Sequence, residues 1–257
     1  MQGNKTYREN WGTRFGFLMA ASGSAVGLGN IWRFPYLTGE NGGSAFIVVY
    51  LFSILFLGVS IMIAEFAVGR RTSLAAVGAY KSQSRGWTFA GALGVLSGFF
   101  IMGFYPVVGG WSLAYIFKSI TGLLAAPEAI GTAFDLFSGA SVEPLIWTVF
   151  YMVLNIAIVS KGIAGGIEKA SKVLMPTLFV LLIIVIAKGV SLPGSQAGLA
   201  YLFEPDWSQV TGGTLLAALG QSFFTLSLGM GCMITYGSYL KKDENIPGNA
   251  VTVVATD

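Results

Sequence analysis

The stretch Ser22-Gly23-Ser24-Ala25-Val26-Gly27-Leu28-Gly29-Asn30 lies inside an apolar run, residues 15–37, that is long enough to cross a lipid bilayer. Its nine residues include three glycines, two serines and an asparagine. Glycine costs about 1 kcal/mol relative to alanine inside a helix, and backbone groups freed within a bilayer are tolerated only where protein or a water-filled cavity surrounds them. We therefore predict a membrane-spanning helix that is interrupted here and buried by the rest of the chain.

The composition is that of an all-α, polytopic membrane protein. Of the 257 residues, 54% are hydrophobic and only 11% are charged, with a mean hydropathy of +0.70, whereas soluble domains carry about 25% charged residues. Six apolar runs have membrane-spanning character: 15–37, 45–68, 90–120, 145–159, 173–190 and 215–240. A seventh begins near Asn249 and stops at Asp257. We expect residues 1–257 to be a single transmembrane domain of six spans plus the start of a seventh, and part of a longer membrane protein.

The distribution of basic residues predicts the orientation of the chain in its membrane. Twelve of the 15 basic residues lie before span one or after spans two, four and six. Cytoplasmic connections are enriched in lysine and arginine, so these connections and the N-terminus are expected to be cytoplasmic. The basic residues are topology signals, which excludes nucleic acid as a partner. Among the cytoplasmic connections, residues 161–172 have mixed charge and several glycines, and we interpret them as a flexible or plainly solvated loop.

Other chemistries are disfavoured by what the sequence contains. It has one cysteine and no histidine, so there is no internal disulfide, zinc signature or Ser/His/Asp triad. The intramembrane carboxylate Glu65 has no second carboxylate or histidine near it, which argues against an intramembrane hydrolase. We therefore expect a protein that is not an enzyme, and Cys232 is interpreted as a small packing residue.

Span six repeats the features of the opening stretch. Gly229-Met230-Gly231 is similar to Gly27-Leu28-Gly29, and hydroxyl side chains precede it. The charge pattern gives spans one and six opposite orientations, and paired interrupted helices in two inverted halves mark the central site of a secondary transporter. Carbonyl oxygens at such breaks, with the hydroxyls and amide of Ser24, Asn30, Thr225 and Ser227, favour an alkali cation over a transition metal.

The same breaks favour a ligand with both a carboxylate and an ammonium group. Helix N-termini offer N–H groups to an anion, and the opposite half-helix ends offer carbonyls to a cation. An amino acid has both groups. Apolar side chains that could line its side-chain pocket, or could simply be packing residues, are Leu28, Ile101, Tyr105, Phe224 and Met230.

Three other residues have two interpretations each. Trp11 at the start of span one is either an interfacial anchor or a residue with a functional role. Arg33 either snorkels to the membrane surface or faces an aqueous vestibule. A carboxylate inside a membrane needs a partner, and Glu65 finds it either in free backbone N–H groups at a helix break or in Arg70 or Arg71.

Several of these motifs together resemble the neurotransmitter:sodium symporter family, in its bacterial amino-acid transporter branch. They are residues 23–35 (GSAVGLGNIWRFP), 40–43 (ENGG), 162–172 and 221–229 (QSFFTLSLG). The resemblance implies two inverted five-helix repeats with discontinuous helices 1 and 6, of which this chain supplies the first repeat, span six and the start of span seven. It also implies a multi-pass protein of the bacterial cytoplasmic membrane; no oligomeric state follows from it.

The resemblance implies two sodium sites and a substrate site. One Na⁺ would be held by the Ala25 carbonyl, Asn30, Thr225 and Asp257; the second would take the Gly23 and Val26 carbonyls plus groups outside this sequence. The substrate carboxylate would contact the first sodium, the Leu28 and Gly29 amides and the Tyr105 hydroxyl. Its ammonium would contact the Ala25, Phe224 and Thr225 carbonyls and the Ser227 hydroxyl.

Gating and structural roles are implied in the same way. Arg33 and Phe224 resemble the extracellular gate and its aromatic lid, and Arg8 and Trp11 resemble the cytoplasmic gate. Glu65 resembles the carboxylate that ties the unwound parts of spans one and six. Asp257 stands where many members have asparagine, which suggests that its charge makes chloride dispensable.

The predicted function is sodium-coupled import of an amino acid by alternating access, with a hydrophobic or aromatic side chain favoured by the apolar pocket. Its partners are then the amino acid, sodium ions and the lipid bilayer. Two alternatives stay open at this point. One is a proton-coupled amine or amino-acid carrier of similar fold, and the other is a channel or a non-transporting substrate sensor.

Overall fold

The computed structural model describes residues 9–122 and 127–257, and within those ranges the secondary structure is helical, with no β-strand. The α-helices are α1 (Arg14–Ala25), α2 (Phe34–Glu40), α3 (Ser44–Ser53), α4 (Val59–Thr72), α5 (Ala76–Gln83), α6 (Thr88–Ile120), α7 (Pro127–Ser138), α8 (Glu143–Val159), α9 (Lys169–Val190), α10 (Ser195–Phe203), α11 (Gly212–Thr225), α12 (Cys232–Gly237) and α13 (Ile246–Thr256). Shorter π-helical segments are Gly29–Arg33, Ile54–Gly58 and Ile163–Glu168. The all-α prediction is confirmed for the described residues.

Several of these helices are long and apolar enough to cross a membrane. In the described part of the chain three qualify by length and composition: Ser44–Thr72, Arg85–Ile120 and Ile163–Val190. Two bent pairs raise the number to as many as five: Arg14–Ala25 with Gly29–Glu40, bent by 43°, and Ile130–Ser138 with Glu143–Val159, bent by 77°. The predicted sixth run is divided between α11 and α12, which the six residues 226–231 separate.

Residues 161–172 do not form the loop expected from their glycines and mixed charge. Ile163–Glu168 is π-helical and continues directly into α9. Glu168 is buried, so this segment is neither plainly solvated nor irregular. The segment is ordered and partly buried because of a tertiary contact: Glu168 accepts hydrogen bonds from the N-terminal segment of the chain.

The described residues divide into two units. The larger holds the described residues up to Val95 together with Ile163–Asp257, and the smaller is Leu96–Gly162. In the smaller unit, a Cβ on Gly110 of α6 would lie 2.6 Å from the backbone nitrogen of Thr148 on α8, so the two helices are in backbone contact there. In the same unit Lys118 forms an ion pair with Glu143 at 2.8 Å.

The core of the larger unit is aromatic and surrounds α1. The rings of Phe17 on α1 and Phe66 on α4 meet edge to face with centroids 5.4 Å apart, and both side chains are almost fully buried. Phe46 and Tyr50 of α3 extend the same cluster. The buried face of α1, formed by Gly16, Phe17, Ala20, Ala21, Ser22 and Ala25, leads to the break at Val26, where an interrupted membrane helix requires surrounding protein.

Two glycines place α4 directly against α12. A Cβ on Gly69 would overlap the carbonyl oxygen of Ile234, and a Cβ on Gly237 would lie 2.7 Å from the Cα of Phe66. The two helices are therefore in backbone contact along this line, which small residues allow in membrane proteins.

We expect Gly69→Ala to lower the free energy of unfolding by about 1–3 kcal/mol, the usual cost of forcing extra atoms into a packed site. The reason is that the added methyl meets backbone, which cannot rotate away. The measurement is the thermal unfolding midpoint of the purified full-length protein. Gly189→Ala is the matched control, since a Cβ at Gly189 meets nothing within 4 Å; equal midpoints for the two variants would contradict the packing described.

Candidate functional site

The first span is interrupted where the glycine-rich stretch predicts. Helix α1 ends at Ala25, and Val26 follows in an extended conformation with φ −76° and ψ 106°. The chain resumes as a π-helix at Gly29. An extended residue inside a helix leaves nearby carbonyl groups without their helical partners, and these groups become available to a ligand or to side chains of other helices.

The sixth span is interrupted over residues 226–231. Gly229 and Gly231 have φ values of 78° and 75°, and Ser227 has a φ of 54°, which is uncommon for a residue with a side chain. The Ser227 hydroxyl donates to the Ser24 carbonyl at 3.0 Å, and the Ser24 hydroxyl donates to Ser227 Oγ at 3.2 Å. The two breaks are thus linked by hydrogen bonds.

Oxygen atoms from both halves of span one, from α11 and from the end of α13 meet beside these breaks. The hydroxyl oxygen of Thr225, which is 2% exposed, lies 3.4 Å from the Ala25 carbonyl, 3.0 Å from Asn30 Oδ1 and 2.7 Å from Asp257 Oδ1. Asn30 also donates its Nδ2 to Asp257 Oδ1 at 2.9 Å. The structure therefore brings together the four residues assigned above to the first sodium.

The chemistry of this oxygen cluster suits a hard monovalent cation. It consists of a carbonyl, an amide oxygen, a hydroxyl and a carboxylate, and carries one formal negative charge. A single hydroxyl proton cannot satisfy three surrounding acceptors at once, so a cation has favourable electrostatics there. Among the described residues, His, Cys, Asp and Glu side chains form no group of three that could hold a transition metal.

Tyr50 belongs to this cluster and was not predicted. Its hydroxyl, on α3, donates to Asp257 Oδ2 at 2.9 Å, and the residue is buried. Asp257 therefore accepts hydrogen bonds on both oxygens. A tyrosine in an apolar run carries no sequence signal for this role, apart from the general need of a buried hydroxyl for a partner.

Gln221 is the second residue that the sequence did not indicate. Its side chain accepts from Arg33 Nη1 at 3.0 Å and donates to the Gly29 carbonyl at 2.9 Å. The Arg33 guanidinium also lies 5.1 Å from the ring centroid of Phe224, within the range of a cation–π interaction. These contacts contradict the interpretation of Arg33 as a snorkelling side chain, because its charged head faces α11.

Glu65 of α4 lies against the second break. Its Oε1 accepts from the Gly229 backbone N–H at 2.7 Å, and the side chain is buried. The alternative pairing with Arg70 is wrong, since the Arg70 guanidinium donates instead to the Glu244 carbonyl at 2.6 Å. The backbone interpretation of Glu65 agrees with this geometry.

Trp11 is not an interfacial anchor. It is 3% exposed, its indole Nε1 donates to the Tyr236 carbonyl at 3.1 Å, and its ring lies edge to face against those of Phe17 and Tyr236, at 5.7 Å and 5.5 Å between centroids. A membrane anchor would keep one edge at the lipid–water boundary. Its predicted gating partner Arg8 lies outside the described residues.

The remaining predicted residues are distributed over both units. Gly29 lies under Phe224, since a Cβ there would be 3.3 Å from the ring. Leu28 precedes Gly29 at the first break, and Met230 lies in the second. Gly23 faces Met175 of α9, and Val26 is the extended residue described above. Ile101 and Tyr105 belong to the smaller unit, and their role at the site stays a prediction.

Two interrupted helices that meet at a cluster of oxygen ligands are typical of the secondary transporters built from inverted repeats. The sequence model of the sodium:neurotransmitter symporter family matches residues 8–132 and 138–257 of this chain. The chain belongs to this family, as its motifs predict.

Individual relatives agree with this assignment. The chain is 40% identical over 248 residues to the uncharacterized sodium-dependent transporter YhdH of Bacillus subtilis, covering 95% of this chain and 55% of that protein. It is 38% identical to an uncharacterized sodium-dependent transporter of Haemophilus influenzae, covering 98% and 58% of the two chains. The crystal structure of MhsT in complex with L-phenylalanine is similar with a TM-score of 0.91 at 50% identity, covering 96% of this chain and 57% of that one. The chain thus spans a little over half the length of these three relatives.

Proposed function

We propose that this chain carries the sodium and substrate sites of a symporter that imports an amino acid by alternating access. The observation that carries the proposal is the oxygen cluster of Ala25, Asn30, Thr225 and Asp257 at the break in span one. The bacterial relatives are named sodium-dependent transporters, which supports sodium as the coupled ion.

The cluster offers a reason for coupling. Its ligands come from both sides of the break in span one, from the end of α11 and from the end of α13, so a bound sodium would hold these segments together. The substrate carboxylate would share that sodium and take the Leu28 and Gly29 N–H groups, together with the Tyr105 hydroxyl. Its ammonium would face the Ala25, Phe224 and Thr225 carbonyls and the Ser227 hydroxyl. Binding of one solute thereby favours the conformation that binds the other.

A hydrophobic or aromatic amino acid is the proposed substrate. The residues proposed for its side chain are apolar: Leu28, Ile101, Phe224 and Met230. MhsT, half of whose matched residues are identical to this chain, has been crystallised with L-phenylalanine. A pocket without a charged group would leave the head of a charged side chain unpaired, which disfavours basic and acidic amino acids.

Further parts of the proposal concern the second ion and the gates. The Gly23 and Val26 carbonyls would contribute to a second sodium site. Arg33 and Phe224 would close the extracellular side, and Trp11 with Arg8 the cytoplasmic side. The Asp257 carboxylate would take over the charge balance that chloride provides elsewhere.

The proposed location is the cytoplasmic membrane of a bacterium, with the N-terminus inside. The distribution of lysine and arginine supports this orientation, and the two relatives described above are bacterial. The membrane itself is the lipid partner, and neither nucleic acid nor catalysis has a place in the proposal.

The test is uptake of radiolabelled amino acids by the full-length protein in proteoliposomes. We expect concentrative, saturable uptake that needs an inward Na⁺ gradient and is strongest for hydrophobic or aromatic amino acids. Replacing Na⁺ by choline while a pH gradient is kept should abolish uptake. Continued uptake in choline would identify a proton-coupled carrier, and non-saturable flux or binding without uptake would identify a channel or a sensor.

A further inference from the structure

Glu168, at the end of the π-helix that precedes α9, is a buried carboxylate that the proposed transport site does not use. It is 3% exposed and accepts three hydrogen bonds. The Gly12 backbone N–H donates to Oε2 at 2.7 Å, and the Thr13 hydroxyl donates to Oε1 at 2.9 Å. Lys172, one helical turn further along, donates to Oε1 at 2.6 Å. Two of the three donors therefore belong to the segment that begins span one.

Glu9 makes the reverse connection. Its two carboxylate oxygens accept from the backbone N–H groups of Ile163 and Ala164, each at 3.0 Å, at the start of the π-helix that contains Glu168. These two hydrogen bonds hold the pKa of Glu9 below its usual value. Each segment thus supplies a carboxylate to the start of the other, where free N–H groups favour negative charge.

The fit on the α1 side is close. Thr13 is the N-cap of α1 and accepts from the Gly16 N–H at 3.0 Å, so Glu168 holds the residue that caps the helix. A Cβ on Gly16 would overlap the Glu168 carboxyl group, and a Cβ on Gly12 would lie 3.2 Å from Oε1. The carboxyl group occupies the space that two glycines leave open.

We propose that Glu9 and Glu168 form a clasp that fastens the start of α1 to the start of α9, and that its opening controls access from the cytoplasm to the sodium and substrate site. The inference rests on the proposed function, because it assumes alternating access. Glu9 and Glu168 are positioning residues in it: they touch neither sodium nor substrate, and act through α1, whose far end supplies Ala25.

The chemistry of the clasp allows it to open. A buried carboxylate left without a partner would be costly, but Lys172 lies on the same helical segment as Glu168 and stays with it when α1 moves away. Glu9 is exposed, so water replaces its partners. Opening therefore exchanges hydrogen bonds without leaving an uncompensated buried charge.

Cys232 provides a reporter for the movement of α1. Its thiol lies 3.3 Å from the hydroxyl of Ser24, in the last turn of α1, and the sequence contains no other cysteine. Cys232 is partly buried, and separation of this half of α1 from α12 would expose its thiol further. A change in the rate at which a water-soluble maleimide labels Cys232, relative to the unchanged protein, thus reports movement of the cytoplasmic half of α1.

The experiment measures this rate in the reconstituted full-length protein, with and without Na⁺, and Cys232→Ser gives the background. We expect Na⁺ to slow labelling of the unchanged protein, and Glu168→Gln to raise the rate in Na⁺ by about tenfold, as loss of a charge-assisted contact predicts. Glu9→Gln should raise it less, because its contacts are exposed. Gly16→Ala should raise it without changing any charge, because its methyl displaces the carboxyl group.

Glu204→Gln is the matched control, since it makes the same chemical change at an exposed residue after α10. An equal rise in this control, or unchanged rates in both Glu9→Gln and Gly16→Ala, would overturn the clasp. These two variants carry the test if Glu168→Gln does not fold. An absence of any Na⁺ effect on the unchanged protein would instead count against the proposed function, so the two failures are distinguishable.

Discussion

Replacing Thr225 by valine is expected to raise the sodium concentration for half-maximal uptake by about 100-fold, or to abolish uptake. Valine keeps the shape of threonine but removes the hydroxyl that lies between the Ala25 carbonyl and Asp257 Oδ1. Two effects add: the cation loses a ligand, and the half-buried Asp257 carboxylate loses a hydrogen bond, each costing about 1–3 kcal/mol. The measurement is the Na⁺ dependence of uptake in proteoliposomes.

Thr225→Ser is the control for this substitution, because serine keeps the hydroxyl and loses only a methyl group. We expect its sodium dependence to stay within a few-fold of the unchanged protein, at some cost in packing. If valine and serine variants had the same sodium dependence, the hydroxyl would not be a sodium ligand. A loss of substrate affinity at saturating Na⁺, with unchanged sodium dependence, would equally contradict the assignment.

The positions of the two helix breaks agree with local chemistry, since glycine and polar residues cluster there inside membrane-length apolar runs. Such residues are not sufficient by themselves, because α6 continues without a break through Gly103, Pro106 and Gly109. The first helix ends at Val26, next to Gly27, and the sixth span is interrupted over residues 226–231, which include Gly229. Both breaks therefore lie at the predicted glycine clusters. The turn after span one has a local origin as well, because Gly42 and Gly43 there have positive φ, a conformation that glycine adopts readily.

The composition of the oxygen cluster could not be derived in that way. Thr225 and Asn30 stand 195 positions apart in the sequence, and neither lies in a sequence pattern that indicates contact with the other. They were grouped because each stands beside one of the two breaks, whereas Ala25 and Asp257 were assigned only by the resemblance to a family. Tyr50 and Gln221 were missed because their partners, Asp257 and Arg33, lie 207 and 188 positions away. The amide of Gln221 inside an apolar run indicates that it needs a polar partner, but not which one.

Glu168 shows where local interpretation failed for a physical reason. Glycines and mixed charge are typical of a solvated connection, but a carboxylate that receives an N–H, a hydroxyl and an ammonium group can be buried at modest cost. The donors Gly12 and Thr13 belong to a segment about 155 positions earlier. Their contribution is invisible until the fold places the two segments side by side.

Asp257 is expected to decide whether transport needs chloride. In the unchanged protein, replacing chloride by gluconate should leave Na⁺-dependent uptake intact, because the Asp257 carboxylate already supplies a negative charge beside Asn30 and Thr225. Asp257→Asn keeps the size of the side chain and removes that charge. Uptake by this variant should fall at least about tenfold in gluconate and recover with chloride, because a small anion can restore the charge balance that the sodium requires.

The Tyr50 hydroxyl makes this prediction specific. It donates to Asp257 Oδ2, and with the carboxylate replaced by an amide it is free to donate to an anion at the same place. Tyr50→Phe combined with Asp257→Asn should therefore lose the recovery by chloride. Asp243→Asn, a change at an exposed residue before α13, is the control and should leave uptake insensitive to chloride. A chloride requirement in the unchanged protein, or uptake by Asp257→Asn that is indifferent to chloride, would contradict the role assigned to this carboxylate.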